Sequence, residues 1–384
     1  MTTPRELIVD VERVAHGGVC VAHAPDGRAV FVRHSLPGER VRIVITDERK
    51  SYLRADALEV LQPSPHRVVP PCPWAGPGRC GGCDWQHVAV DEQRRMKAAV
   101  VAEQLRRLAH LERAVDVEPL PGAPDGLQWR TRMRFAVDGD GRAGLHRHRS
   151  HEIERIDDCL LAVGKARVPE VLGREWPGDA EVTVDVSSSG ERAVAMGTPD
   201  AVVTEHAAGR EWSVPVGGFW QVHVAAADVL VDAVMAAVDP QPEDVCLDLY
   251  SGVGLFAGAL ALHAGAVTAV ESDGRAAAAA RHNLADLPVR VIRDRVDRFL
   301  PRSEAPFDVV VLDPPRKGAG REVVEAITGR KPRVVVYVAC DPAALARDVA
   351  TFAVRGYSLT GLRAFDLFPM TAHVECVAQF TPTT

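Results

Sequence analysis

A chain of 384 residues is too long for one ordinary hydrophobic core, so two or three domains are expected. Its formal charge of −7 argues against a polyanion-binding surface spread over the whole molecule, and no stretch approaches the roughly 18 uninterrupted apolar residues of a membrane span. The start, MTTPRELIVDVERVAHGG, lacks the basic-then-apolar layout of a secretory signal, so a cytoplasmic monomer with no membrane partner is expected. In a reducing compartment, eight cysteines point to metal or catalysis rather than to disulfides.

Residues 1–62 alternate in the β manner, with the turns HGG, PDG and LPGE between short runs, which predicts a small five-stranded antiparallel barrel. The segment LQPSPHRVVPPCPWAGPG is too rich in proline for regular structure and reads as an extended linker. VDEQRRMKAAVVAEQLRRLAH follows with helical periodicity and a basic face. Strands return over about 117–210, so residues 63–215 read as a β-rich central region. Within it, residues 130–149 hold six arginines, two histidines and only two acids, a local pattern that suits either a phosphate backbone or a solvated hairpin.

From 216 to 384 helices alternate with apolar β-branched runs: DVCLDLY, AVTAVES, VRVIRD, FDVVVLD and RVVVYVA. Such alternation predicts an α/β domain, a doubly wound, Rossmann-like and mostly parallel sheet. Its first strand ends in SGVG, a turn that lets a ligand approach the backbone, and Glu271 ends the next strand where an acid can accept from ribose hydroxyls. Asp248 in DLYSGVGLF sits badly beside a pyrophosphate and better suits a cationic amino-acid moiety, as in S-adenosylmethionine. Asp294 ends the third strand, within expected reach of an adenine. Asp313 heads DPPRKG at a strand tip, with Arg316 suited to a phosphate or a carbonyl oxygen.

Cys340, in YVACDPAALARD, stands at a strand-to-helix junction, where it can be core, a metal ligand or a nucleophile favoured by the helix N-terminus. In the last strand, HVECVAQF, alternation puts His373 and Glu375 on one face, and a carboxylate in so apolar a strand is costly unless it is paired or working. Glu375 is the candidate base.

FWQVH, DLYSGVGLF, DPPRKG, YVACDPAALARD and DLFPMTAHVE together resemble the successive motifs of the S-adenosylmethionine-dependent RNA uridine-5 methyltransferase family. The N-terminal segment resembles a TRAM domain, a small RNA-binding barrel of the OB-like kind. The resemblance implies that Gln221, Tyr250, Glu271 and Asp313 bind S-adenosylmethionine, with Cys340 as nucleophile and Glu375 as base. Three positions depart from the family pattern: Ser251 replaces cysteine, His223 replaces asparagine, and Ala339 and Asp341 replace serine and asparagine around the nucleophile. Asp341 places a negative charge next to a thiol that has to ionise.

Cys72, Cys80 and Cys83 lie in CPWAGPGRCGGCDWQH, and Cys159 follows in HEIERIDDCLL. Four cysteines with intervening glycines can hold zinc or an iron-sulfur cluster, and spacing does not decide between them. The arrangement resembles the [4Fe-4S] site of the ribosomal-RNA branch of the family, although its first gap is longer than that pattern has. In the family the central region helps bind RNA, which makes Arg130, Arg132 and Phe135 candidates for phosphate contact and base stacking. The expected function is methylation of a uridine in structured RNA, with 23S rRNA favoured over the tRNA T-loop because the tRNA branch generally lacks both barrel and cluster. A non-catalytic RNA-binding protein is the rival from another class.

Overall fold

In a computed structural model that describes residues 5–178, 180–303 and 305–383, the chain begins with a closed barrel of five strands. Four neighbouring pairs are antiparallel, but the strand Ala29–Arg33 runs parallel to Tyr52–Gln62, unlike the all-antiparallel barrel expected. After Arg33 the chain crosses to pair Arg40–Glu48 with the first strand instead of turning back on itself, so the last strand returns beside the third in the same direction. Val30, Val32, Val41, Ile43 and Leu53 are fully enclosed in the barrel.

The central region divides in a way that the sequence reading missed. Its own five-stranded sheet, built from strands between Arg132 and Met196, encloses Met133, Phe135, Val182 and Val184. The helix Val90–Leu108 and the strand Val117–Pro119 belong instead with the C-terminal domain. Val101, Leu105 and Val117 share a core with Leu247, Val335 and Phe352, and Val117–Pro119 is the edge strand of the large sheet. The hairpin Val202–Ala207 and Arg210–Pro215 also packs there, burying Trp212 so closely that a Cβ on Gly258 would lie 2.5 Å from its ring. Apolar burial thus draws residues from both ends of the expected 63–215 unit into the neighbouring core.

The C-terminal sheet has eight strands, whose order by residue range is 289–293, 266–271, 245–249, 309–312, 334–339, 375–382, 357–366 and 117–119. The first five are parallel and are joined through helices, as expected; Glu375–Pro382 is antiparallel to both of its neighbours. Among the described residues, no helix is long and apolar enough to cross a membrane.

Candidate active site

Parallel strands deliver their carboxyl ends to one edge, and Tyr250, Glu271, Asp313 and Cys340 all follow strands that end there. The antiparallel strand supplies the remaining group. Ala339 pairs with Cys376, so the next step of the register sets Cys340 opposite Glu375. A cavity of about 1270 Å³ opens over this edge, lined by Gln221, Tyr250, Glu271, Asp313, Cys340 and Glu375. Six of the seven residues expected to carry cofactor or chemistry therefore share one space.

Asp294 is the exception. Its carboxylate accepts from the Arg295 N–H at 2.8 Å, lies 3.8 Å from Arg302, and faces a separate cavity of about 440 Å³. Asp297, three residues further on in the first turn of the following helix, lines the main cavity instead. Asp248 is likewise withdrawn. It is fully buried beneath the edge, where one oxygen accepts from the Ala257 N–H at 2.9 Å and caps the first turn of Leu255–Ala261. Burial, and then the nearby Asp313 and Glu271, hold its carboxyl well above the usual range, and it does not line the cavity.

The turn between them is tight. Tyr250 has φ 62°, in the left-handed region that bulky residues avoid, and Gly254, at φ 97°, has Leu284 2.6 Å from where a Cβ would stand. Glu271 is fixed by the Gly252 N–H at 2.9 Å and the Asp273 N–H at 2.6 Å, with the Ser272 hydroxyl at 3.3 Å. Two carboxylate oxygens offer about four acceptor sites, so capacity remains for a ligand hydroxyl.

Cys340, Asp313 and Glu375 perturb one another. Burial pushes the Cys340 thiol up to about 12, the charges of Glu375 and Asp313 add to this, and Arg316 opposes them. Burial raises Asp313 to about 7 and holds Glu375 well above the carboxylate range, there with help from Asp313. Arg316 is the cation on hand, and its guanidinium lies 3.3 Å from Nε2 of His373. Both line the cavity with Phe368, and His373 is kept neutral, down at about 4, by burial and then by Arg316. His373 precedes the last strand instead of lying in it, so the expected alternation is not what brings it beside Glu375.

Asp341 turns away from the thiol. One oxygen caps the helix Pro342–Val354 by accepting from the Ala344 N–H at 2.7 Å, and the other lies 3.1 Å from Nε2 of His16 in the barrel. The Asp-Pro pair at this helix start is itself a capping signal that the sequence carried. Asp341→Asn is therefore expected to change turnover less than about threefold, while Asp341→Ala costs about 1 kcal/mol of stability through the lost cap. Parallel turnover and urea-denaturation measurements distinguish the two outcomes.

The central-region candidates fall differently. Phe135 is wholly buried in its sheet, and Arg132 lies in a buried ionic network instead of facing phosphate. Arg132 donates to Asp185 at 3.2 Å and to the Gly218 carbonyl at 2.8 Å, while its other terminal nitrogen is 3.5 Å from Glu205. Asp185 also accepts from the Gly217 N–H at 2.7 Å, so the network holds the loop that presents Gln221. Arg132→Ala leaves two buried carboxylates without their cation, for an expected loss of about 3–5 kcal/mol. A denaturation midpoint equal to that of the wild type would remove this role. Arg130 is half-buried, its Nε donating to the Arg132 carbonyl at 3.0 Å.

Cys72, Cys80, Cys83 and Cys159 approach one another where the linker meets the central sheet. Cys80 and Cys159 border one apolar cluster, Cys83 and Cys159 the next, and the four act electrostatically on one another. Gln86 joins the Cys72 N–H, at 3.1 Å, to the Cys83 sulfur, at 3.3 Å, and the Gly82 N–H reaches the Cys80 sulfur at 3.4 Å. Burial is the main cause that raises the Cys80 thiol to about 11 and lifts those of Cys83 and Cys159. Among the described residues, no group of three or more His, Cys, Asp or Glu is drawn together tightly enough to hold a metal ion.

Comparison with known proteins fits this architecture. Residues 3–58 match the TRAM domain model, and residues 229–354 match the model described as Conserved hypothetical protein 95. An uncharacterized RNA methyltransferase of Streptomyces coelicolor is 48% identical, over 98% of this chain and 93% of that one. The 23S rRNA (uracil(1939)-C(5))-methyltransferase RlmD of Methylococcus capsulatus is 32% identical over 97% of this chain and 96% of its own. Among solved structures, the Pyrococcus abyssi tRNA (uracil-54, C5)-methyltransferase in complex with S-adenosyl-L-homocysteine has the same fold, with TM-score 0.73 and 24% identity over 97% of this chain and 100% of that one. From its whole-length identity to these relatives and its TRAM match, the chain belongs to the TRAM-containing branch of the S-adenosylmethionine-dependent RNA uridine-5 methyltransferase family.

Proposed function

We propose that the protein transfers a methyl group from S-adenosylmethionine to carbon 5 of a uridine in 23S rRNA. The observation that carries this reading is the convergence of Cys340, Glu375 and Asp313 in one cavity with Gln221, Tyr250 and Glu271. The last three, with Asp313, are the groups to hold S-adenosylmethionine, which supplies an electrophilic methyl when bound. Carbon 5 of uracil is a poor nucleophile. Cys340 Sγ adds to carbon 6, the displaced π electrons pass to the carbonyl as an enolate, and carbon 5 then takes the methyl. Glu375 removes the carbon-5 proton, and expulsion of the Cys340 thiolate restores the double bond. Arg316, its guanidinium beside neutral His373, is placed to stabilise the enolate oxygen.

The ribosomal substrate is favoured over tRNA by the whole-length relative whose name specifies 23S rRNA, against a tRNA enzyme that shares the fold at lower identity. Mass-spectrometric mapping of 5-methyluridine in ribosomal and transfer RNA from cells with and without the gene tests it. Loss at one 23S position is expected; loss from tRNA alone transfers the activity to that substrate, and no change in either RNA refutes the reading.

Although the four thiols stand further apart here than metal ligands do, we propose that Cys72, Cys80, Cys83 and Cys159 draw together to hold a [4Fe-4S] cluster. Four thiols from two chain segments, with N–H donors from Gly82 and Gln86 aimed at two of the sulfurs, are the donor set such a cluster takes. Its role is to tie the linker to the central sheet. Anaerobically purified protein should contain about four iron and four sulfide per chain; one zinc, or neither metal, overturns the assignment.

A further inference from the structure

Helix Val90–Leu108 carries two polar side chains that the chemistry above does not use. Gln93 and Lys97 stand four residues apart on one face, and both are wholly buried. Lys97 forms an ion pair with Asp366, itself buried at the end of the strand Tyr357–Asp366. Such a pair adds little net stability, because both charges lose their water, and apolar residues of similar volume serve as well or better. A reason other than stability is needed, and the remaining bonds of this face supply one.

They converge on one loop. Residues 367–374 join Asp366 to the strand that begins at Glu375, and Phe368 and His373 among them line the cavity. Lys97 Nζ donates to the Phe368 carbonyl at 3.0 Å, and Gln93 Oε1 accepts from the Met370 N–H at 2.7 Å. The Gln93 amide is itself fixed by donating to the carbonyls of Trp85 at 3.1 Å and Val88 at 2.9 Å. The segment before the helix completes the grip. There the N–H groups of Asp84 and Trp85 both reach the Met370 carbonyl at 3.0 Å, and the Asp84 carboxylate accepts from the Ala372 N–H at 3.1 Å.

One stretch, residues 84–97, thus holds backbone groups of Phe368, Met370 and Ala372. Between them Met370 adopts φ 65°, a left-handed backbone that a long side chain takes only where its surroundings over-determine it. The held loop sets two rings. Phe368 meets His373 edge to face with ring centres 6.0 Å apart, and meets buried Trp129 in the same way at 6.1 Å. His373 in turn lies against Arg316, so the position of the loop is passed to the guanidinium assigned to the enolate oxygen. Gln221, Tyr250 and Glu271, on the cofactor side of the cavity, come from other elements.

We propose that Lys97, Gln93 and Asp84 are positioning residues, which hold this loop so that Phe368 and His373 form the wall against which the target uracil is seated. The inference rests on the methyl-transfer reading above. A wall displaced by about 1 Å costs on the order of 10²-fold in rate, while the cofactor keeps its own contacts.

The test is steady-state methylation of 23S rRNA transcript by the full-length protein, with urea denaturation and S-adenosylmethionine binding measured on the same preparations. Lys97→Met combined with Asp366→Leu replaces the ion pair by apolar groups, so the denaturation midpoint should equal or exceed that of the wild type. Its kcat should nevertheless fall about 10²-fold, while KM for RNA and S-adenosylmethionine affinity stay within about twofold of wild type. A wild-type kcat in this variant makes the pair merely structural and overturns the proposal. A parallel loss of S-adenosylmethionine affinity places the defect in the whole cavity and overturns it too. If the double variant does not fold, Asp84, which is half-buried, decides. Asp84→Ala should lower kcat about tenfold, and Asp84→Asn, which keeps an acceptor for the Ala372 N–H, should restore it. Equal kcat in these two variants overturns the proposal. Wild-type protein that binds S-adenosylmethionine but leaves every uridine unmethylated overturns the functional reading, and this inference with it.

Discussion

Cys340→Ala is expected to abolish methyl transfer, by on the order of 10⁴-fold or more, while S-adenosylmethionine still binds. The alanine removes the only atom at this position able to add to carbon 6, and Ala339 and Asp341 on either side have no nucleophile to offer. Half-buried at the end of an all-buried strand, Cys340 leaves little empty volume when truncated, so folding should be preserved. The thiol is pushed up to about 12 by burial first and by two carboxyls after that. A sulfonium cation in the same cavity opposes both causes. Alkylation of Cys340 by iodoacetamide should therefore be faster with S-adenosylmethionine bound than with S-adenosylhomocysteine, which has the same bulk and lacks the charge. Equal rates would show that thiolate formation depends on the RNA instead. Turnover by Cys340→Ala above a few per cent of wild type would remove the covalent mechanism altogether.

How much of this was legible depended on how local each determinant was. Cys340, Asp313, Glu271 and Tyr250 follow directly from strands recognisable by their apolar runs, and a parallel sheet puts every such strand tip on one edge. Glu375 was legible because a carboxylate in HVECVAQF conflicts with its apolar surroundings. Asp294 and Asp248 were misplaced by one turn and by one layer, differences that a count of residues along a strand does not record. In Arg132–Val137, the alternation is real but does not say which face is covered, and the sheet buries Phe135 while enclosing Arg132 with two acids from strands about 50 and 70 residues further on. The alliance of Val90–Leu108 and Val117–Pro119 with the C-terminal core is a long-range outcome of the same kind. The direction of Asp341 is the opposite case: the Asp-Pro cap stood in the sequence, and only the partner, His16, required the fold.

Glu375→Gln should slow turnover by about 10² to 10⁴-fold and at the same time stabilise the protein at pH 8. Two carboxyls and a thiol enclosed together are an arrangement selected by chemistry at the expense of stability. The direction with pH follows from the protons. Asp313 binds its proton up to about pH 7 in the fold, against 3.8 for an ordinary aspartate carboxyl, and Glu375 is raised as well. Between about pH 4 and 7 the folded state holds more protons than the unfolded chain, so stability falls as pH rises through that window. For Asp313 the loss is complete once pH exceeds its folded value; for Glu375 it extends higher. A neutral amide at either position cannot acquire the charge, so Glu375→Gln and Asp313→Asn should each gain about 2–4 kcal/mol over wild type at pH 8 and almost nothing at pH 4. Urea denaturation at the two pH values measures this, and an equal gain at both would assign it to packing instead. Activity runs the other way: the base works only when deprotonated, so wild-type turnover should rise with pH across the range in which stability falls. Addition and methyl transfer need no proton removed from carbon 5, so Glu375→Gln should accumulate protein covalently joined to methylated RNA, visible as a retarded band on a denaturing gel. If no such band forms while turnover is lost, Glu375 acts before the methyl is transferred, as a group that orients the uracil, and the proton leaves by another route.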